Sequence, residues 1–153
     1  MNYLISFFRK ILAPVLFIPI TAIILLSCKK DRIDVNKFWN CNNSQTLDSA
    51  GIAAKLSGLW LWSKKYSDIG GTKKADKVIK VTFNSNGTFS ILENSNTITQ
   101  GIWKLEIQYG TEYILSLNQP SEYLHGTILF CDNQVLFTSS RSDGDDNLFT
   151  KSN

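Results

Sequence analysis

Beyond residue 58 the apolar residues recur at a period of two. Ile79, Val81 and Phe83 share one parity, as do Phe89 and Ile91, then Trp103, Leu105 and Ile107, then Tyr113, Leu115 and Leu117. That period places each set on one face of a strand, with mostly polar residues on the other. Turn signals recur every 8 to 12 residues: Gly70-Gly71, Asn86-Gly87, Asn94 to Asn96, Tyr109-Gly110, Asn118 to Ser121, Asp132-Asn133 and Asp143-Gly144. Asn-Gly and Asp-Gly accept the positive φ that tight hairpins require. The predicted strands run near 59–67, 77–84, 87–93, 97–107, 112–118, 122–131, 134–141 and 146–151. In the fourth, the apolar phase moves from Ile98 and Ile102 to Trp103 and Leu105, and Gly101 at the switch is predicted as a bulge or bend. All connections but the first are short, so consecutive strands are antiparallel neighbours, and eight of them lose their open edges by closing on themselves. The fold class expected is all-β, an eight-stranded antiparallel up-and-down barrel preceded by a short N-terminal α-helix. That helix has Ile52, Ala53 and Leu56 at helical spacing, Asp48 or Ser49 as its cap, and Gly58 as its stop.

The N-terminus follows a different pattern. Arg9 and Lys10 are the only charges in residues 1–27, and an uncharged apolar run from Ile11 to Ser27 follows them. A charged n-region before an apolar h-region is the form of a secretory signal peptide. The run has 17 residues, includes Pro14 and Pro19, and lies at the short limit of a membrane span, the alternative reading. Leu25-Leu26-Ser27-Cys28, ahead of Lys29-Lys30-Asp31-Arg32, resembles a bacterial lipobox, although Leu26 stands where that motif normally has a smaller or β-branched residue. The resemblance implies cleavage after Ser27 and acylation of Cys28 with diacylglycerol and palmitate-type chains. Several chains give stable attachment to a membrane where one is marginal. The implied organisation is a lipoprotein signal peptide over 1–27, an acylated N-terminus and polar Asn-rich tether over 28–45, and the barrel domain over 46–153. The location implied is the envelope of a Gram-negative bacterium. The outer membrane is favoured because Lys29 is not the aspartate form of the inner-membrane retention signal.

Composition narrows the function. Whole-chain values of 43% hydrophobic and 19% charged residues are skewed by the leader; residues 28–153 have 14 Lys+Arg and 13 Asp+Glu. A chain of that size builds one core, and its near-neutral balance argues against nucleic acid as a partner. A single histidine, His125, and no nucleophile–base spacing give no basis for an enzyme, a metal site or a cofactor. Asp143, Asp145, Asp146 and Asn147 lack the distal bidentate Glu of a calcium loop and read as an acidic turn. In an oxidising compartment Cys41 and Cys131 are expected to pair, which would staple the tether to the barrel; two buried free thiols are the alternative. Charge is also split along the chain. Lys64, Lys65, Lys73, Lys74, Lys77 and Lys80 flank the first loop, either as a basic rim for lipid phosphates or as a solvated face that discourages edge pairing.

Gly58-Leu59-Trp60, after a short helix and at the head of the first strand, resembles the G-x-W that opens lipocalins. The Gly-Gly loop, Asn86-Gly87-Thr88-Phe89, Gly101-Ile102-Trp103 and the late Asp-Gly turn extend the resemblance to small lipocalin-like (calycin-type) lipoproteins over residues 50–151. The T-D-x-Y motif of typical lipocalins is absent, and the basic residue that covers the tryptophan would be Lys151 or Arg141. The resemblance implies a small apolar ligand in the barrel mouth, with Trp60, Trp62, Phe89, Trp103 and Tyr113 lining it and residues 67–76 as a lid. Barrels of this strand number hold either packed side chains or one ligand. The other reading is therefore a filled barrel serving as a non-catalytic scaffold for a protein partner in the envelope.

Overall fold

The computed structural model describes residues 32–139 and 142–152; Cys28, residues 1–27 expected as a signal peptide, and Arg141 lie outside them. Helix α1 (Val35–Asn43) and helix α2 (Ser49–Leu56) precede nine strands. These are β1 (Gly58–Ser67), β2 (Gly71–Lys74), β3 (Ile79–Phe83), β4 (Thr88–Glu93), β5 (Asn96–Gln108), β6 (Glu112–Leu117), β7 (Thr127–Cys131), β8 (Gln134–Thr138) and β9 (Asp146–Lys151). Each of β3 to β8 pairs antiparallel with the next, β1 pairs with β3 on one edge, and β9 returns to the other edge of β1. The result is a closed eight-strand antiparallel barrel, consistent with a lipocalin-like calycin fold.

The ninth strand does not enlarge the barrel. β3 pairs only with Gly58 to Leu61, and β2 takes the same edge of β1 further along, Lys64 opposite Lys74 to Ser67 opposite Gly71. The long β1 therefore projects past β3 as a β1–β2 hairpin at one end. That end, with the 67–79, 118–126 and 139–145 connections, is the mouth.

The opposite end is closed by packing. Asp48 caps α2 by accepting from the Gly51 N–H at 2.7 Å, and Leu56 at the end of that helix is fully buried. Trp60 donates its indole N–H to the Leu56 carbonyl at 2.6 Å. Lys151 Nζ lies 5.2 Å from the Trp60 ring centroid and donates to the Lys55 carbonyl at 2.8 Å, so Lys151 is the covering cation. Gly58 faces the Lys151 stem and has φ +121°, a backbone state that favours glycine.

Three segments differ from the sequence expectation. Residues 32–45, expected as a tether, contain α1, capped by Asp34 accepting from Lys37 N at 3.0 Å. The reason is visible at the barrel wall. β6 and β7 share a single aligned pair, Ile114 with Thr127. Asn42 accepts from the Phe130 N–H at 3.1 Å and Gln45 donates to the Phe130 carbonyl at 3.2 Å, so the polar residues of the arm satisfy strand edge that β6 leaves open. Phe38 is buried with Tyr66, Leu129, Leu136 and Leu148 in a second apolar cluster that includes the barrel's outer face. Cys41 and Cys131 stand at disulfide distance in this contact, with Cα atoms 5.2 Å apart. The second difference is residues 122–126, which are not strand; the connection turns inward and buries Tyr123 and Leu124 in the main core. The third is in β5, where the register slips across Thr99 and Thr97, so the bulge is at Ile98. Gly101 instead clears room for the Asn118 side chain, which accepts from Ile102 N at 2.7 Å, and for the Phe89 ring.

Candidate functional site

The expected apolar pocket divides into three places. Trp60, Phe89 and Trp103 are buried core residues toward the closed end. Trp60 and Phe130 have ring centroids 6.3 Å apart, and Phe83 packs edge-on against Trp103 at 5.7 Å and tilted against Phe89 at 6.5 Å. Those three are therefore filling, not lining. Tyr113 borders a separate groove of about 400 Å³ shared by α1, α2, β6 and β7. Of the five aromatics, only Trp62 lines the mouth.

A cleft of about 300 Å³ opens there. Its floor is the edge-to-face pair of Trp62 and Tyr123, with centroids 5.4 Å apart. Asn147, almost fully buried, fixes that floor by accepting from the Trp62 indole N–H at 3.1 Å and donating to the Glu122 carbonyl at 3.2 Å. Lys65, Lys73, Lys74 and Lys77 line the walls with Asp76, Glu122 and Asp145.

A bulge explains why lysine stands beside tryptophan. Along β1 and β9 the pairing runs Trp62 with Phe149, then Lys64 with Leu148 and Lys65 with Asn147, so Ser63 is the extra residue. Ser63 Oγ donates to the Leu148 carbonyl at 3.0 Å and its own carbonyl accepts from Ala75 N at 2.9 Å. One inserted residue reverses the parity that follows it. Lys65 therefore points to the inner side with Trp62, and Tyr66 to the outer side with Leu148. Across the hairpin Lys65 is directly opposite Lys73 and Lys64 directly opposite Lys74. Like charges placed so repel. Asp145 relieves one member, with its carboxylate 2.6 Å from Lys65 Nζ.

Titration reflects the same surroundings. Burial pushes the Tyr123 hydroxyl up to about 12, with the neighbouring Glu122 carboxylate adding to it. Lys77 is raised by its hydrogen bond and charge attraction to Glu93, 3.1 Å away. Elsewhere His125 Nδ1 lies 2.7 Å from Ser139 Oγ, and Asp146 accepts from Ser139 N at 3.0 Å, contacts that hold Ser139 to the barrel end. Among the described residues, Cys41, Cys131 and Asp132 are close enough to share a metal ion, but the two sulfurs stand at disulfide distance from each other.

The sequence reading missed Tyr123, Asn147 and the inward direction of Lys65 and Lys73. The signals available were two Lys-Lys dipeptides at mirror positions about the Gly-Gly turn, and Trp62-Ser63-Lys64-Lys65, where strict alternation would have turned Lys65 away from Trp62. Comparison with protein families, with curated proteins and with solved structures finds no match to this chain.

Proposed function

We propose that this protein is a non-catalytic binding module of the bacterial envelope, a lipoprotein held to the membrane through Cys28, whose lipocalin-like barrel takes a small ligand at its mouth. The ligand class is an anion with a flat apolar part, in place of the purely apolar molecule expected from the family resemblance. One observation carries the reading. The Lys65–Lys73 cross-strand pair faces a cleft whose floor is Trp62 against Tyr123. Asp145 already pairs with Lys65, so Lys73, directly opposite it, is the cation left to take an anion, and the aromatic floor favours a flat group. The volume, about 300 Å³, suits a small molecule in preference to a long acyl chain.

The test is non-denaturing mass spectrometry of protein purified without reductant, followed by titration with small aromatic carboxylates and phosphate monoesters read by tryptophan fluorescence. A co-purifying mass, or quenching that Lys65→Met and Lys73→Met abolish, supports the reading. A bare mass with no quenching overturns it. The filled scaffold would then be preferred, and the packed Phe83, Phe89 and Trp103 cluster favours that second reading. The anchor is tested separately by intact mass of the membrane fraction, expected to begin at acylated Cys28 and to lose the acyl mass in Cys28→Ser.

A further inference from the structure

We infer that the β1–β2 hairpin is a membrane-docking element that seats the barrel mouth-down on an anionic bilayer surface, with Ile69 entering the interface. The inference rests on acylation of Cys28. Ile69, at the tip of the hairpin between Asp68 and Gly70, is completely exposed, and Val78 at the same end is 55% exposed. Exposed Lys73 and Lys74 stand on the return strand. An apolar tip with lysines behind it matches a bilayer with acidic headgroups, where each lysine near the surface adds attraction. Asp68 and Asp76 are exposed at the same end and offset part of this charge, and Asp145 is paired with Lys65, so the attraction rests on Lys73 and Lys74 behind the Ile69 tip.

Chain length supplies the second argument. The first described residue, Arg32, bonds the Tyr66 hydroxyl, and its guanidinium lies 4.6 Å from the Tyr66 ring centroid. The chain therefore enters the domain at the mouth end, beside the root of the hairpin. Cys28 precedes Arg32 by four residues, a reach of at most about 14 Å when extended. From Tyr66 to Ile69 is three residues, a reach of about 10 Å. Anchor and hairpin tip thus have comparable reach from one point, and a leash that short keeps the mouth near the bilayer. The ligand cleft then opens toward the membrane surface, which gives a molecule leaving the bilayer a direct path to Lys73 and Trp62.

The experiment uses the full chain, processed in cells and reconstituted by its own anchor into vesicles of phosphatidylcholine alone or of phosphatidylcholine mixed with phosphatidylglycerol. Hydrogen–deuterium exchange of residues 68–74 is read by mass spectrometry, with the Asn86-Gly87 turn at the closed end as internal control. Exchange in the hairpin is expected to slow by at least about tenfold on the anionic vesicles, and Ile69→Glu or Lys74→Glu to restore the neutral-vesicle rate, with the control unchanged. Both positions are solvent-exposed, so neither change removes a core contact. Equal exchange on both vesicles, or protection at Asn86-Gly87 instead, overturns the docking inference and leaves the ligand reading standing. An intact mass without acyl chains overturns the anchor reading and this inference together.

Discussion

Trp60 and Trp62 are two residues apart on one strand, on one face of one barrel, yet their surroundings are opposite. Trp60 is buried, donates to the end of α2 and lies beneath Lys151, which itself caps that helix. Trp62 is half-buried, donates to a side chain, Asn147, and borders a cleft walled by lysines and acids. At the closed end the indole and ammonium bond backbone carbonyls in the last turn of a helix, where carbonyls have no partner within the helix itself. At the mouth the polar partners come from β9 and from the 118–126 and 139–145 connections, and the Ser63 bulge turns lysine inward. The lower half of the barrel is therefore a stability device, whereas the upper half has spare polar capacity and volume.

The largest test of that division is Trp60→Ala, expected to cost about 3–5 kcal/mol in chemical denaturation because it leaves a cavity at the centre of the core. Trp62→Ala is expected to cost only about 1 kcal/mol while abolishing ligand-induced fluorescence change. Equal costs would erase the distinction between the two ends. The next effect belongs to the arm. Cys41 and Cys131 are separated by 90 residues, and Cys41→Ser is expected to lower stability by about 2–4 kcal/mol under non-reducing conditions, with no change when reductant is present throughout.

One lysine from each end sharpens the comparison further. Lys151→Met removes a cation over Trp60 and a charge-assisted bond to a helix carbonyl, for an expected loss of about 1–2 kcal/mol. Lys65→Met removes a partly exposed pair with Asp145 and is expected to cost about 0–1 kcal/mol in stability. Its effect should appear in ligand titration instead. Denaturation midpoints of the two variants, measured side by side, check this.

The closed end was the readable half. Gly58-Leu59-Trp60 after a helical stripe, a basic residue in the last strand and the turn dipeptides are local signals, and each corresponds to local backbone geometry. The mouth depends on relations that no local pattern carries. Alternation gives the face of a strand but not its level along the barrel axis, so Trp60, Trp62, Phe89 and Trp103 looked equivalent although only Trp62 is near an opening. A one-residue bulge at Ser63 is invisible where Ser, Lys and Lys are all polar. Tyr123 and Leu124 read as strand because they lie between the Asn118 to Ser121 and Asp132-Asn133 turn signals, yet Pro120 before them and Gly126 after them, at φ +89°, mark a loop that folds inward. Asn42 looked like solvated tether because the β7 backbone N–H that it serves, that of Phe130, lies 88 residues further on.

Tyr123 gives the smallest effect at neutral pH and the one most specific to the mouth. Its hydroxyl is held neutral to about pH 12 by burial and the nearby Glu122 carboxylate, while in the unfolded chain it ionises near the ordinary value of 10.0. A group that keeps its proton more firmly when folded stabilises fully below the unfolded value and loses that contribution as pH rises toward the folded one. Stability is therefore expected to fall between pH 10 and 12, and Tyr123→Phe, which has nothing to ionise, to flatten that part of the curve. Lysines also titrate in this window, so the difference between the two proteins, not the raw slope, is the quantity to measure. Ligand occupying the cleft would cover the Trp62–Tyr123 floor still further and raise the hydroxyl again. An ultraviolet phenolate titration with and without ligand would then show one tyrosine moving upward, whereas a ligand bound at the Tyr113 groove would leave Tyr123 where it is.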